Sequence, residues 1–466
     1  MVQFILIPAA TDISANVGTS SKGSTLTELI GAVTNAAGTK ARAEWAAKYA
    51  NALEELNTSI QAGVQDATAH HARRINARLS TMIPEAEVEF VTEVPDWTPK
   101  GDPSVSTRIT LGDISNDLKN QGHGTQRAVM IAMFQSLAPD EASATLDSPQ
   151  ADGETDNDYK DRLNEIVQQL PTLIVCIEEP EIYQHPIRAR AFARVLAELA
   201  ERQSVQIAVA THSPYFVAPM QFAHLRRLSL TSSKTTVHSV TLHEAAKNSN
   251  VAVEKFRSTI ERHLPSVFSE GFFADKVVLV EGDTDKVCIE GISEALTMPL
   301  DLSGVAVIHV GGKNELKMAY AILDALDVPT YLIVDGDADG ASRRHKNGTQ
   351  ELEKARASNG SQTSEILSWL PASIPHSGNL PYSFGDPTLI TSSSTVWRDD
   401  LESELENWPS FMAELANAGG ALRQKKVFTY RAAVLNSNAT DMPKNLAEVV
   451  RAIHELTADG DAVQFI

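Results

Sequence analysis

Two apolar runs in this chain end abruptly in carboxylates. KVVLV, beginning at Lys276, passes into Glu281, Asp283 and Asp285, and YLIV, beginning at Tyr331, passes into Asp335, Asp337 and Asp339. Uninterrupted apolar runs of this kind predict strands covered on both faces of a parallel sheet, and ligands of such sheets sit beyond the carboxyl ends of the strands. LPTLIVCIEEPE and VQIAVATHSP repeat the pattern upstream. FILIPAA near the start predicts a short strand closed by proline, and EVEFVTEV returns to strand period.

Elsewhere the spacing is helical. Alanine-rich sequence from about Thr25 to Leu79 predicts a long helix or helical hairpin that projects from the body, and RARAFARVLAELAER predicts an amphipathic helix. The acidic stretch from Pro139 to Asp161 reads as a mobile surface loop, and the mixed polar segment from Ser232 to Ser269 as a connector. From Phe272 onward strands and helices alternate again, and no internal repeat is evident. The expected fold class is α/β: a first unit over residues 1–235, a connector over 236–270, and a doubly wound second unit over 271–466.

Composition narrows the partners. At 466 residues, with 42% hydrophobic and 21% charged content, the chain has material for two or three domains with sizeable cores. A formal net charge of -20 argues against coating nucleic acid through bulk electrostatics, but leaves nucleic acid open as a substrate held by metals and local basic clusters. Arg73 with Arg74, Arg343 to Lys346, and Arg423 to Lys426 are such clusters, and each also fits a plain solvated patch. Cys176 and Cys288 lie inside apolar patterns and read as buried free thiols of a reducing compartment. No leader pattern and no apolar run of about 18 residues occurs. A cytoplasmic protein without membrane association is expected.

The carboxylates carry the chemistry. Many acids in one crevice repel one another unless a cation joins them, and hard oxygen ligands suit Mg²⁺ or Mn²⁺. Two such ions can clamp both oxygens of a phosphoryl transfer. Upstream, Glu178 and Glu179 end a fully apolar strand, His212 ends a neighbouring one, and NQGHGTQRAVMIAMF opens an apolar helix with a glycine-rich turn suited to an anion.

These three features, in this order, resemble the signature motif, Walker B strand and switch histidine of ABC/SMC-type ATPases. The G-x-x-x-x-G-K-[ST] phosphate loop is missing, because NVGTSSKGST around Lys22 has its lysine at the wrong spacing. The chain is therefore expected to begin after that loop or to be a degenerate ATPase, and ATP hydrolysis by it alone is not expected. Glu281 after one buried strand, then Asp335 and Asp337 as a D-x-D after a later one, with VAVIHVGGKNELKMAYAIL between them, resemble the Toprim pattern. An ABC-type ATPase joined to a C-terminal Toprim domain is the arrangement of the OLD (overcoming lysogenization defect) family, which the chain resembles from about Phe4 through the mid-400s.

The resemblance implies a partial ABC-type ATPase domain with a helical insertion, followed by a doubly wound Toprim nuclease domain. It implies two Mg²⁺ or Mn²⁺ ions held by Glu281, Asp285, Asp335 and Asp337, with Asp400 and Glu402 of a D-L-E element near a second metal. Lys425 or Lys426 would steady the pentavalent phosphate. His123, Gly124, Gln126, Glu178, Glu179 and His212 would be remnants of an ATP site. Asp283 and Asp339 fit outer-shell or helix-capping positions. DNA is the implied substrate, a homodimer the implied assembly, and defence the implied setting, with an upstream polypeptide or partner protein as one source of the absent loop. The alanine-rich segment fits either a dimerisation arm or an insertion packed on its own domain. A scaffolding protein with vestigial acids and an SMC-like repair ATPase are the alternatives. A topoisomerase would need a gating domain with a nucleophilic tyrosine, and a primase of this class a zinc module that two distant cysteines cannot form.

Overall fold

In the computed structural model, which describes residues 2–7, 53–83, 85–93, 104–137, 155–160, 172–202, 205–231, 234–264, 266–345, 348–370, 374–379 and 382–456, the apolar runs become strands and their polar borders become turns. The chain divides into two units, Met1–Phe216 and Val217–Ile466.

The first unit contains β1 (Val2–Ile7), α1 (Leu53–Met82), β2 (Ala86–Glu93), β3 (Ser104–Leu111), β4 (Ile114–Asp117), α2 (His123–Leu137), β5 (Thr172–Glu178), α3 (Pro186–Ala200) and β6 (Val205–Ala210). β5 lies between β1 and β6 in a parallel sheet, and β2, β3 and β4 form an antiparallel one. Ile7, Val175 and Ile177 from the parallel sheet share a core with Ile109 of β3, Val129 of α2, and Phe192 and Leu196 of α3. Ile75 and Leu79, one turn apart on α1, enter the same core, and the Asn76 side chain bonds both the N–H and the carbonyl of Val88 at 2.7 and 3.0 Å. The described part of the alanine-rich segment therefore packs on its own unit and does not project as expected; residues 25–52 lie outside the described residues. Of the expected surface loop, only residues 155–160 are described.

The second unit contains β7 (Arg227–Thr231), β8 (Lys234–His238), α4 (Leu242–Asn248), α5 (Val253–His263), β9 (Lys276–Val280), α6 (Asp283–Ala295), β10 (Val305–His309), α7 (Leu316–Ala325), β11 (Thr330–Asp335), α8 (Gly340–Arg344), α9 (Gln350–Leu367), β12 (Pro375–Ser377), β13 (Leu389–Thr391), β14 (Ser394–Trp397), α10 (Leu401–Glu406), α11 (Pro409–Asn417), α12 (Val427–Asn436) and α13 (Lys444–Glu455). Residues 236–270, expected as a connector, are instead part of this unit: Val240, Phe256 and Ile260 share a core with Val277 and Leu279. α5 has a polar composition that conceals a single apolar face.

The main sheet has the order β10-β9-β11-β14-β13-β12. β10, β9, β11 and β14 run parallel, and β13 and β12 are antiparallel additions. Alternation along the strands splits the core in two. Val278, Val280, Tyr331 and Ile333 face a layer with Ile289 of α6, Val434 of α12 and Val450 of α13. Val277, Leu279, Leu332 and Val334 face Ile322 of α7 together with Phe256 and Phe268. The sheet is thus doubly wound, as expected. The chain leaves β9 for β10 on one side and returns to β11 on the other, so β9 is the topological switch point where open α/β sheets form their ligand crevice. β12 closes one margin with three residues that include Pro375. Cys288 is buried, whereas Cys176 is only partly covered, so burial of both thiols is not observed. Among the described residues no helix is long and apolar enough to cross a membrane.

Candidate active site

Glu281 follows β9 directly, and Asp335 is the last residue of β11, its immediate neighbour in the sheet. The two acids are joined: the Asp335 N–H donates to Glu281 Oε1 at 3.0 Å. Asp285 lies in the first turn of α6, where its carboxylate accepts the Gly282 N–H at 2.9 Å. That bond explains the strand-turn-helix geometry, since an acid at this position satisfies an N–H that the helix leaves unpaired. Asp337 adopts a left-handed backbone at φ 57°. Between Asp335 and Asp337 only glycine fits, because a Cβ on Gly336 would collide with the main-chain carbonyls of Trp397 and Arg398.

Burial raises these acids. Desolvation lifts Glu281 to about 7 although Lys313 opposes it, and lifts Asp285 to about 6 with Glu402 adding repulsion. Asp335 stands well above its ordinary range through desolvation and then the charges of Glu281, Asp285 and Asp337. Each of these acids is therefore sensitive to any cation entering the crevice.

The remaining expected site residues divide. Glu402 is 2% exposed, and its Oε1 has no hydrogen-bond partner, only the Lys425 ammonium at 3.9 Å. Burial alone would lower Lys425, yet Glu402, Asp285, Asp335 and Asp400 hold it above its ordinary value. Lys426 instead stands exposed at the N-terminus of α12. Asp400 is otherwise engaged: it caps α10 by accepting the Ser403 N–H at 2.9 Å, and pairs with Arg343 at 2.6 Å and Arg423 at 3.2 Å. Arg343 also pairs with Asp399, and Arg423 reaches Glu406 at 3.6 Å, so these two arginines are engaged by acids of the same unit. Asp283 pairs with His309 at 2.9 Å, and Asp339 pairs with Arg398.

Among the described residues no three His, Cys, Asp and Glu side chains already stand as a metal cage. The donor set nonetheless suits a hard divalent ion, being all carboxylate oxygen, with Glu281, Asp285 and Asp335 raised by burial and Glu402 Oε1 left without a hydrogen bond. Positive charge now comes from Lys313, whose Nζ lies 2.9 Å from Asp337 Oδ2. Sequence reasoning missed Lys313, whose one signal was its place after Gly311 and Gly312 at a strand end.

The first unit has its own cluster at the carboxyl end of β5. Glu179, at φ 42°, places Oε1 3.6 Å from His212 Nε2. Its carboxyl is raised by burial and by Glu181, with His212 opposing. Glu181, also missed from sequence, accepts the Thr211 hydroxyl at 2.7 Å and the His212 N–H at 3.2 Å. Arg127, buried at 1% exposure, donates to the carbonyls of Glu179 and Glu178 from α2. The neighbouring Gln126 donates to the Gln121 carbonyl at 2.8 Å, His123 stacks on Tyr183 at 5.0 Å, and a Cβ on Gly124 would lie 3.1 Å from the Tyr183 carbonyl. The α2 turn and the β5 acids are thereby held together.

The AAA ATPase domain profile matches residues 19–217. The TOPRIM domain profile of overcoming lysogenization defect-like proteins matches residues 272–337, the segment that carries Glu281, Asp285, Asp335 and Asp337. The second unit is thus similar to the TOPRIM domains of OLD-like proteins, and the first to AAA ATPase domains. An OLD nuclease of Thermus scotoductus is 30% identical over 39% of this chain and 35% of its own length. The Old nuclease of Escherichia phage P2 is 24% identical over 62% of this chain and 43% of its own. Endonuclease GajA of Bacillus cereus is 26% identical over 39% and 28%. The chain thus spans less than half the length of these relatives.

Proposed function

We propose that this chain is an OLD-type, divalent-metal-dependent DNA endonuclease whose reacting centre is the acid cluster at the β9 switch point. The observation that carries the proposal is the bond from Asp335 N–H to Glu281 Oε1, which joins acids from two strands at one crevice. The nuclease relatives support the reaction class. Glu281, Asp285, Asp335, Asp337 and Glu402 would hold two Mg²⁺ or Mn²⁺ ions. Bound there, such ions supply an activated water and charge stabilisation at the leaving 3′-oxygen. Lys425, with 64% of its side chain exposed, faces the phosphate and balances the charge that builds on its oxygens. Asp400 fixes the start of α10, and so the place of Glu402, through Arg343, Arg423 and Ser403. The ATPase-type unit, with Glu179 beside His212, acts as a regulatory and dimerisation module for DNA access.

A plasmid-nicking assay with Mg²⁺, then Mn²⁺, tests the proposal. The parent chain is expected to convert supercoiled DNA, and Asp335→Asn to lose activity by roughly a thousandfold or more, as when a group acting in the transition state is removed. Supercoiled DNA left intact by the parent with both ions overturns it and favours a scaffolding protein with vestigial acids, and DNA cut equally by D335N overturns this acid cluster as the reacting centre.

A further inference from the structure

We propose that Lys313 is a positioning residue of the acid cluster, an internal clamp that fixes the Asp335–Asp337 turn so that both carboxylates face a bound divalent ion. This inference rests on the assignment of those acids as metal ligands.

Lys313 belongs to the segment after β10, and β9 lies between β10 and β11 in the sheet. Gly311 and Gly312, at φ 87° and 154°, turn the chain there. Its side chain spans β9 to reach the turn after β11. An ammonium has three N–H donors, and here all three are used. They meet the Asp335 carbonyl, Asp337 Oδ2 at 2.9 Å and Thr363 Oγ1 at 3.1 Å. Thr363, fully buried on α9, donates onward to the Gly336 carbonyl at 3.1 Å, and Asn359 of the same helix donates to the Asp337 carbonyl at 3.1 Å. Every residue of the D-G-D turn is therefore gripped from one side by Lys313 and α9.

This saturation separates Lys313 from Lys425. Lys313 is 9% exposed and has no donor left for a phosphate oxygen, whereas Lys425 is largely exposed. Lys313 holds the Asp337 carboxylate through Oδ2, and Oδ1 is the oxygen this proposal gives to a metal. The left-handed backbone of Asp337 is a conformation that persists only where surroundings impose it, and the clamp is such a surrounding.

The test is calorimetric titration of Mn²⁺ into the full chain, without DNA and without reference to cleavage. Two roles for Lys313 predict opposite signs. If Lys313 serves only as a counter-charge, Lys313→Met removes a repelling cation and Mn²⁺ binds more tightly. If it positions the turn, K313M binds Mn²⁺ more weakly, by roughly ten- to a hundredfold, the usual cost of removing a partner behind a metal ligand. Thr363→Val keeps the charge, removes the bridge to Gly336, and is expected to weaken Mn²⁺ in the same direction. It carries the test alone should K313M fail to fold. Unchanged or tighter binding in a folded variant overturns the clamp while leaving the nuclease proposal standing. A parent chain that takes up no Mn²⁺ overturns the assignment of the acids as ligands and the clamp with it.

Discussion

Replacing Glu281 with glutamine should stabilise the metal-free protein at alkaline pH. Glu281 moves from an ordinary 4.5 up to about 7 in the fold, because burial outweighs the help of Lys313. Each unit is about 1.4 kcal/mol, so this one carboxyl represents roughly 3 kcal/mol of pH-dependent stability. Between the two values the folded chain keeps a proton that the unfolded chain has released. The contribution is complete below pH 4.5 and lost as pH rises through about 7. Asp285, raised from 3.8 to about 6, acts with the same sign over an overlapping window. Urea unfolding in EDTA reads the effect through tryptophan fluorescence, since Trp369, Trp397 and Trp408 all belong to the second unit. The parent and E281Q should be nearly equal in stability at pH 4.5 and differ by about 3 kcal/mol in favour of E281Q at pH 8. Mg²⁺ should restore the parent at pH 8 and do little at pH 4.5, where Glu281 and Asp285 are protonated. A difference between parent and E281Q that stays flat with pH, or parent stability that rises from pH 5 to 8 relative to E281Q, refutes the reasoning.

Two further perturbations probe the frame around the site. Phe256→Ala removes a fully buried ring that meets Phe222 at 6.4 Å, and should cost the second unit about 3–5 kcal/mol in urea unfolding; no loss would mean that residues 236–270 only connect. Gly336→Ala forces a methyl group against two main-chain carbonyls, and should cost about 1–3 kcal/mol and weaken Mn²⁺ uptake. Calorimetry showing parent-like Mn²⁺ binding by G336A would show that the turn tolerates displacement.

The strand-end acids were legible because burial on both faces writes an unbroken apolar run, and the break in that run marks where the strand leaves the sheet. Glu281, Asp285, Asp335 and Asp337 sit at those breaks. Asp400 and Glu402 were only a short string, and nothing in it foretold that Arg343 and Arg423 would occupy one acid while the other stayed without a hydrogen bond on Oε1. Lys313 and Thr363 are fifty residues apart and meet by tertiary folding alone. Phe256 and Ile260 do carry the i,i+4 spacing of a helix face, but the polar residues around them hid it. For the alanine-rich segment both outcomes were open, and Ile75 and Leu79 decide for packing along its described part.

Proline in β12 limits how copies of this unit can join. A bare margin of a sheet invites a neighbouring molecule to continue its backbone ladder, which is the first step toward uncontrolled polymers. Pro375 has no N–H to offer, and the strand that holds it is only three residues long. One backbone donor is thus missing from that margin, which disfavours continuation of the ladder by a second molecule.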